Sequence, residues 1–129
     1  MKEQQKEIWS LDLCINLYKC DGSKFKERSI KEFSDKVTEI IDKDGENIVG
    51  IINDFGQGNK DLEGLRLIHE NSNSLITAHF VYLDKKAFIN LHSCQGYSVY
   101  KVIELCKDFF QTDSYWCQKV FREYELGGR

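Results

Sequence analysis

Apolar residues recur along this chain with two periods, and the change of period divides it into eight predicted elements. Alternation of apolar and polar positions is typical of a strand with one buried face, whereas spacing of three and four residues is typical of an amphipathic helix. In chain order, the pattern predicts a strand at 9–18, a helix at 29–42, strands at 47–55, 62–70, 75–82 and 86–93, a helix at 99–110 and a strand at 114–125.

The order of these elements favours an α+β fold. Each helix has one apolar face, and the economical way to cover both faces is a two-layer sandwich in which one antiparallel sheet carries both helices on the same side. A length of 129 residues suits a single domain, 1–129, with one core. On the strand at 86–93, Phe88, Asn90, His92 and Cys94 point away from the predicted core. That mixture suits a site or an interface.

Charge and composition exclude several functional classes. The net charge is −3 and the lysines form no basic cluster, so we expect no nucleic-acid partner. Apolar runs are only a few residues long and the first residues are polar, so we expect no membrane partner and a cytoplasmic location. The five cysteines include no CxxC pair, which argues against a disulfide framework and against a zinc site.

Ser74, His79 and Cys94 carry the most specific chemical signal. The histidine lies five residues after the serine, and the cysteine lies fifteen residues after the histidine. Taken singly, each has a structural explanation: a residue in a turn-rich run, a histidine on a half-buried strand and a small buried thiol. The surrounding sequence decides between those explanations and a common active site.

The spacing of these three residues resembles that of the short prokaryotic S-adenosylmethionine decarboxylases. The first strand ends in Tyr18-Lys-Cys20-Asp21, similar to the Tyr-x-Cys-Asp with which the family's opening strand ends. A helix and a closing strand then follow Cys94 in the family's order. The resemblance covers most of the chain and implies decarboxylation of S-adenosylmethionine for spermidine biosynthesis.

The resemblance also implies a cofactor made from the chain itself. In this family the serine hydroxyl attacks the preceding carbonyl, and elimination of the resulting ester leaves a pyruvoyl group. Here the cut would fall between Asn73 and Ser74 and give pieces of 73 and 56 residues. The pyruvoyl group would form a Schiff base with the substrate amine and accept electrons as carbon dioxide leaves. By the same analogy, His79 moves protons during self-processing and Cys94 returns a proton to the substrate carbon.

The sequence departs from the family at two positions near the cut. Asn73 stands where the family usually has glutamate, and an ungapped count puts Arg66 where the family has a second serine. His92 lies two residues before Cys94 on the same strand face. It is either a replacement proton relay or a surface or interface histidine.

Residues that would bind the substrate are also assigned by the resemblance. Leu83 stands where the family has the glutamate that holds the ribose, so the neighbouring acid, Asp84, becomes the expected ribose anchor. Among the plentiful aromatic residues, Phe55 and Phe80 are expected to offer a surface for stacking with the adenine.

Two other functions remain open. One is a pyruvoyl-dependent decarboxylase of another amino acid, such as ornithine or arginine. The other is an unprocessed relative that binds a small molecule or a partner without catalysis. In each case the mixed sheet face around Phe88 favours a homodimer, because a small domain seldom leaves such a face in water and a nucleoside-sized pocket is easier to build between two protomers.

Overall fold

The computed structural model describes residues 7–125, which form a six-stranded antiparallel sheet and two α-helices. The strands lie in the order β2-β3-β4-β5-β1-β6. A short 3₁₀ helix, Gly22–Lys24, follows the first strand. The elements are β1 (Glu7–Tyr18), α1 (Glu27–Ile41), β2 (Asn47–Phe55), β3 (Gly64–Asn71), β4 (Ser74–Val81), β5 (Lys86–Ser93), α2 (Val99–Phe110) and β6 (Ser114–Glu125).

Both helices pack on one face of the sheet, so the predicted α+β two-layer sandwich is confirmed. Alternate residues of β1, β3, β4 and β5 point into a single core, which the apolar faces of α1 and α2 complete. Phenylalanine rings fill its centre, and those of Phe33 and Phe110 lie 4.9 Å apart in an edge-to-face arrangement. Burial of such large side chains is the main source of stability in a domain of this size. Within residues 7–125 neither helix has the length and apolar character needed to cross a membrane.

The other side of the sheet, called the open face below, carries no helix. β4 pairs with β3 and with β5 over its whole length without a bulge, so its side chains alternate strictly between the two faces. Ser74, Ile76, Ala78 and Phe80 are buried on the helix side, while His79 lies on the open face. This register determines which candidate residues can meet.

The hairpin between β3 and β4 brings the candidate cleavage site to one end of the sheet. Asn71 pairs with Ser74, so Ser72 and Asn73 form a two-residue turn. Ser74 also pairs with Ser93 at the end of β5. The end of α1 reaches the same place, because the residue that follows the helix, Asp42, is fully buried against the turn.

Candidate functional site

Asp42 organises the residues on both sides of the expected cut. Its Oδ2 atom accepts a hydrogen bond of 3.0 Å from the Ser74 hydroxyl and another of 3.0 Å from the backbone N–H of Asn73. Its Oδ1 atom accepts a bond of 3.2 Å from the Asn73 side-chain amide. Asp42 has no exposed surface and Ser74 is 6% exposed. The Ser74 hydroxyl is therefore held on a buried carboxylate, which is within reach to take its proton.

The loop after α1 is shaped to admit this carboxylate. At Gly45 a Cβ atom would overlap the carboxylate of Asp42, so only glycine leaves room for it. The loop is tied to the β3–β4 turn by two bonds: Ser72 N–H donates to the Glu46 carbonyl over 2.9 Å, and Glu46 N–H donates to the Ser72 hydroxyl over 3.0 Å. Loop and turn are thus joined on either side of Asp42.

The carbonyl group that Ser74 would attack is also engaged. The oxygen of Asn73 accepts a hydrogen bond of 3.0 Å from the backbone N–H of Cys94. The end of β5 is held in turn by Ser93, whose hydroxyl donates to the carbonyl of Ile41 over 2.8 Å. A backbone N–H on a carbonyl oxygen polarises the carbonyl and stabilises negative charge that develops there, as in an oxyanion hole. We call Asp42, Asn73, Ser74 and the Cys94 N–H the junction.

The side chain of Cys94 belongs to a second group of residues, on the open face. Its exposed Sγ lies 3.9 Å from His92 Nε2. His92 Nδ1 lies 2.5 Å from Asp12 Oδ1, and Asp12 Oδ2 accepts a bond of 2.7 Å from Arg122 Nε. Burial alone would raise the pKa of Asp12, but the hydrogen bonds and charges of Arg122 and His92 outweigh it, so the pKa lies below the ordinary value. We call Cys94, His92 and Asp12 the thiol chain.

His79 lies away from Ser74, so the expected meeting of the three residues is wrong for this pair. Ser74 points to the helix side and His79 to the open face. Their offset of five positions corresponds to about 16 Å of strand. The ring of His79 stacks on Phe55 with centroids 4.3 Å apart. Burial, with a contribution from the charge of Arg66, lowers the pKa of His79. At the junction, the side chain that accepts from the Ser74 hydroxyl is Asp42.

None of the three residues expected to bind substrate lies beside the junction of its own protomer. Phe80 is 0% exposed at the centre of the core, so it has no surface for a ligand. Asp84 is exposed in the turn beyond β4, at the end of the sheet opposite Ser74. β4 itself spans about 23 Å, which puts Asp84 out of reach of a substrate held at the junction of the same protomer. Phe55 stacks on His79 at this same distant end of the sheet, because its register partner Gly64 pairs with Val81 at the end of β4.

The sequence did not predict Asp42 and Asp12 as residues of the site. Asp42 directly follows an amphipathic helix, where an acidic side chain is usually solvated, and its partners lie more than thirty positions away. The only local signal is Gly45, which is typical of any loop. Asp12 could have been connected with His92 only through the register of β1 with β5, in which they are direct partners.

Comparison with known proteins places the fold. No family model matches the sequence, and no curated protein matches it at a significant level. The structure is similar to the crystal structure of the adenosylmethionine decarboxylase from Aquifex aeolicus VF5, with a TM-score of 0.70 over 89% of this chain and 91% of that chain, at 14% sequence identity. The chain therefore has an adenosylmethionine decarboxylase-like fold.

Proposed function

We propose that this protein is a self-processing, pyruvoyl-dependent decarboxylase of S-adenosylmethionine, which supplies the decarboxylated product for spermidine biosynthesis. The fold supports the proposal, but the observation that carries it is the junction. There a buried carboxylate holds the hydroxyl of Ser74, and the carbonyl before that serine accepts an N–H from Cys94. The bond from Cys94 continues the β4–β5 ladder, whereas an ordinary hairpin turn has no need of the buried carboxylate.

The junction contains the groups that self-cleavage requires. Asp42 takes the proton of the Ser74 hydroxyl, and the oxygen attacks the carbonyl carbon of Asn73. The Cys94 N–H stabilises the negative charge on the carbonyl oxygen, and the amide nitrogen leaves with a proton, so an ester replaces the peptide bond. Loss of the Ser74 Cα proton then breaks the ester and frees the Asn73 carboxylate. Water replaces the remaining nitrogen, which leaves as ammonia, and residue 74 becomes a pyruvoyl group.

The residues around position 74 suit that group. Cleavage removes the bond that fixes residue 74 to the turn, and the neighbouring Cys94 has an exposed thiol. The bound pyruvoyl group supplies an electron sink for loss of the substrate carboxylate. Cys94 supplies the proton that replaces carbon dioxide on the substrate carbon.

One experiment tests the cleavage directly. Denaturing mass spectrometry of the purified protein should find pieces of 73 and 56 residues, and the smaller piece should react with a hydrazine reagent. The variant Ser74→Ala should stay intact. An uncut wild-type chain after long incubation would refute self-processing and favour the non-catalytic relative.

The position of Asp84 favours one alternative substrate class. With Asp84 at the far end of β4, the acid expected to hold a ribose is out of reach within one protomer, and a plain amino acid such as ornithine or arginine would not need it. Carbon dioxide release from S-adenosylmethionine should therefore be compared with release from ornithine and arginine. Preference for a plain amino acid would replace the proposed substrate without affecting the proposed cleavage.

We further propose that two copies of this chain meet through the part of the open face around Phe88 and Trp116. These two side chains are 36% and 48% exposed and lie in one row across the sheet, on either side of Asn16. Exposed apolar side chains grouped on one sheet face are typical of an interface. Light scattering should find a dimer, and Trp116→Lys should shift it to a monomer, whereas Tyr100→Lys on the outer surface of α2 should not. A monomeric wild-type protein at micromolar concentration would contradict this.

A further inference from the structure

The thiol chain has an organisation that the proposed function does not by itself require. A cysteine, a histidine and an aspartate from two strands are aligned so that each contacts the next. We propose that His92, oriented by Asp12, is a positioning residue that returns a proton to Cys94 after each turnover. The inference rests on the proposed function for the identity of the substrate, but it predicts a reactive thiol in any case.

The hydrogen bond to Asp12 determines which ring nitrogen of His92 carries the proton. The other nitrogen, which faces Cys94, then has a free lone pair. A carboxylate can only accept hydrogen bonds, so Nδ1 of His92 must carry the proton that it shares with Asp12 Oδ1. In the neutral ring, Nε2 is then unprotonated and points at Cys94 Sγ, 3.9 Å away. This distance is at the outer end of the range for sulfur, and catalytic contacts are often long before a substrate binds.

Asp12 is itself held in the orientation that His92 needs. Its second oxygen accepts from Arg122 over 2.7 Å, so both oxygens are engaged and the carboxylate cannot rotate freely. Its lowered pKa keeps it charged, so it remains an acceptor for the Nδ1–H group of His92. A histidine, a carboxylate and a nucleophile in this order are the arrangement that orients a base in cysteine and serine hydrolases.

Solvent access completes the proton path. The His92 side chain is 45% exposed, and a recess of about 190 Å³ opens beside it between β1, β4 and β5. Cys94 gives its proton to the substrate carbon and becomes a thiolate. A proton from the solvent binds His92 at Nε2 and then passes to the thiolate sulfur, which restores the thiol and the neutral ring. One proton thus enters from solvent for each carbon dioxide that leaves, and the thiol chain returns to its starting protonation state.

The reactivity of the thiol can be measured without any turnover. We would alkylate the Ser74→Ala protein with iodoacetamide at pH 7 and follow each cysteine by peptide mass spectrometry. Cys14 is an internal control, because it is also exposed on the open face but has Asn90 and Gln118 as its cross-strand partners. A thiol paired with an imidazole reacts through its thiolate, so Cys94 should react about tenfold faster than Cys14.

Two variants test whether the thiol chain causes the difference in alkylation rate between Cys94 and Cys14. His92→Gln and Asp12→Asn should each bring the rate of Cys94 to within about threefold of Cys14 and leave the rate of Cys14 unchanged. Equal rates for Cys94 and Cys14 in the wild-type background, or a fast Cys94 in His92→Gln, would overturn the inference. The unchanged rate of Cys14 controls for loss of structure.

A second measurement tests whether the thiol chain contributes to turnover. In the processed protein, His92→Ala should lower kcat at least tenfold with little change in KM, and added imidazole should restore part of kcat. A fall in KM and kcat together, without rescue, would overturn the inference. If the wild-type protein releases no carbon dioxide while the alkylation result holds, the proposed function fails and the reactive thiol remains.

Discussion

Replacing Asp42 by asparagine changes one buried oxygen into an amide group and leaves the volume of the side chain almost unchanged. The carboxylate accepts three hydrogen bonds, two at Oδ2 and one at Oδ1. An asparagine has one oxygen, so at least one donor from Asn73 or Ser74 loses its partner. A hydrogen bond to a charged group contributes about 1.5–3 kcal/mol, so we expect Asp42→Asn to lower the free energy of unfolding by about that amount.

The effect on self-cleavage should be larger than the effect on stability. An amide cannot accept the proton of the Ser74 hydroxyl, and a general base contributes roughly a hundred- to ten-thousandfold in rate, which is about 2.7–5.4 kcal/mol of barrier. The assay is refolding from urea, followed by denaturing mass spectrometry of the intact chain over time. Urea unfolding of the same samples gives the stability change separately.

The matched control is Asp44→Asn, which makes the same chemical change at an exposed position of the same loop. Its cleavage rate and its midpoint of urea unfolding should equal those of the wild-type protein. If folded Asp42→Asn is cleaved at the wild-type rate while Ser74→Ala stays intact, Asp42 is a structural residue and another group takes the proton.

Three further results are expected. Gly45→Ala should slow cleavage, because its Cβ would displace the buried carboxylate. Gly50→Ala is the control, because its Cβ meets no atom within 4 Å. Equal cleavage rates of the two variants by mass spectrometry would contradict the role of the loop. The pKa of His79 is lowered in the fold, so the unfolded chain binds a proton at His79 before the folded chain does as the pH falls. The contribution of neutral His79 to stability is therefore complete above about pH 6.5 and is lost as the pH falls through the folded pKa. Thermal unfolding between pH 7 and pH 5 should therefore show a smaller loss in His79→Gln, and an identical loss would refute the assignment. Phe80→Ala should lower the free energy of unfolding in urea by about 3–5 kcal/mol, because it opens a cavity in the core. Phe55→Ala opens no such cavity and should lower it clearly less. A greater stability loss in Phe55→Ala would contradict the placement of these rings.

The sequence predicted the fold well where one rule was sufficient. The bounds of β2 (Asn47–Phe55), β5 (Lys86–Ser93), α2 (Val99–Phe110) and β6 (Ser114–Glu125) agree with the predicted ranges. In α2 the apolar positions follow one period without interruption, and this period decides both the type of element and the buried face. β3 begins at Gly64 and not at residue 62, because the N–H groups of Leu62 and Glu63 close the preceding turn on the Asn59 carbonyl.

The site was harder to predict because it depends on contacts between distant elements. Alternation along β4 puts Ser74 and Phe80 on one face and His79 on the other, but local pattern does not say which face the helices cover. The family resemblance assigned roles by spacing along the chain, and spacing cannot tell opposite faces apart. The contact between Asp42 and Ser74 depends on the path of the loop after α1, which no short-range rule specifies.

The order of the strands has a consequence for the time at which the chain can be cut. A cut before Ser74 leaves β1, β2 and β3 on one piece and β4, β5 and β6 on the other, yet β1 lies between β5 and β6 in the sheet. The two pieces are thus interleaved, and neither can leave without breaking the ladders on both sides of β1. Once separated in denaturant, they would have to find each other by a second-order encounter, because the covalent link that kept β3 beside β4 no longer limits their separation. Folding must therefore precede the cut, and recovery of the cut protein from denaturant should depend on its concentration, while that of Ser74→Ala should not.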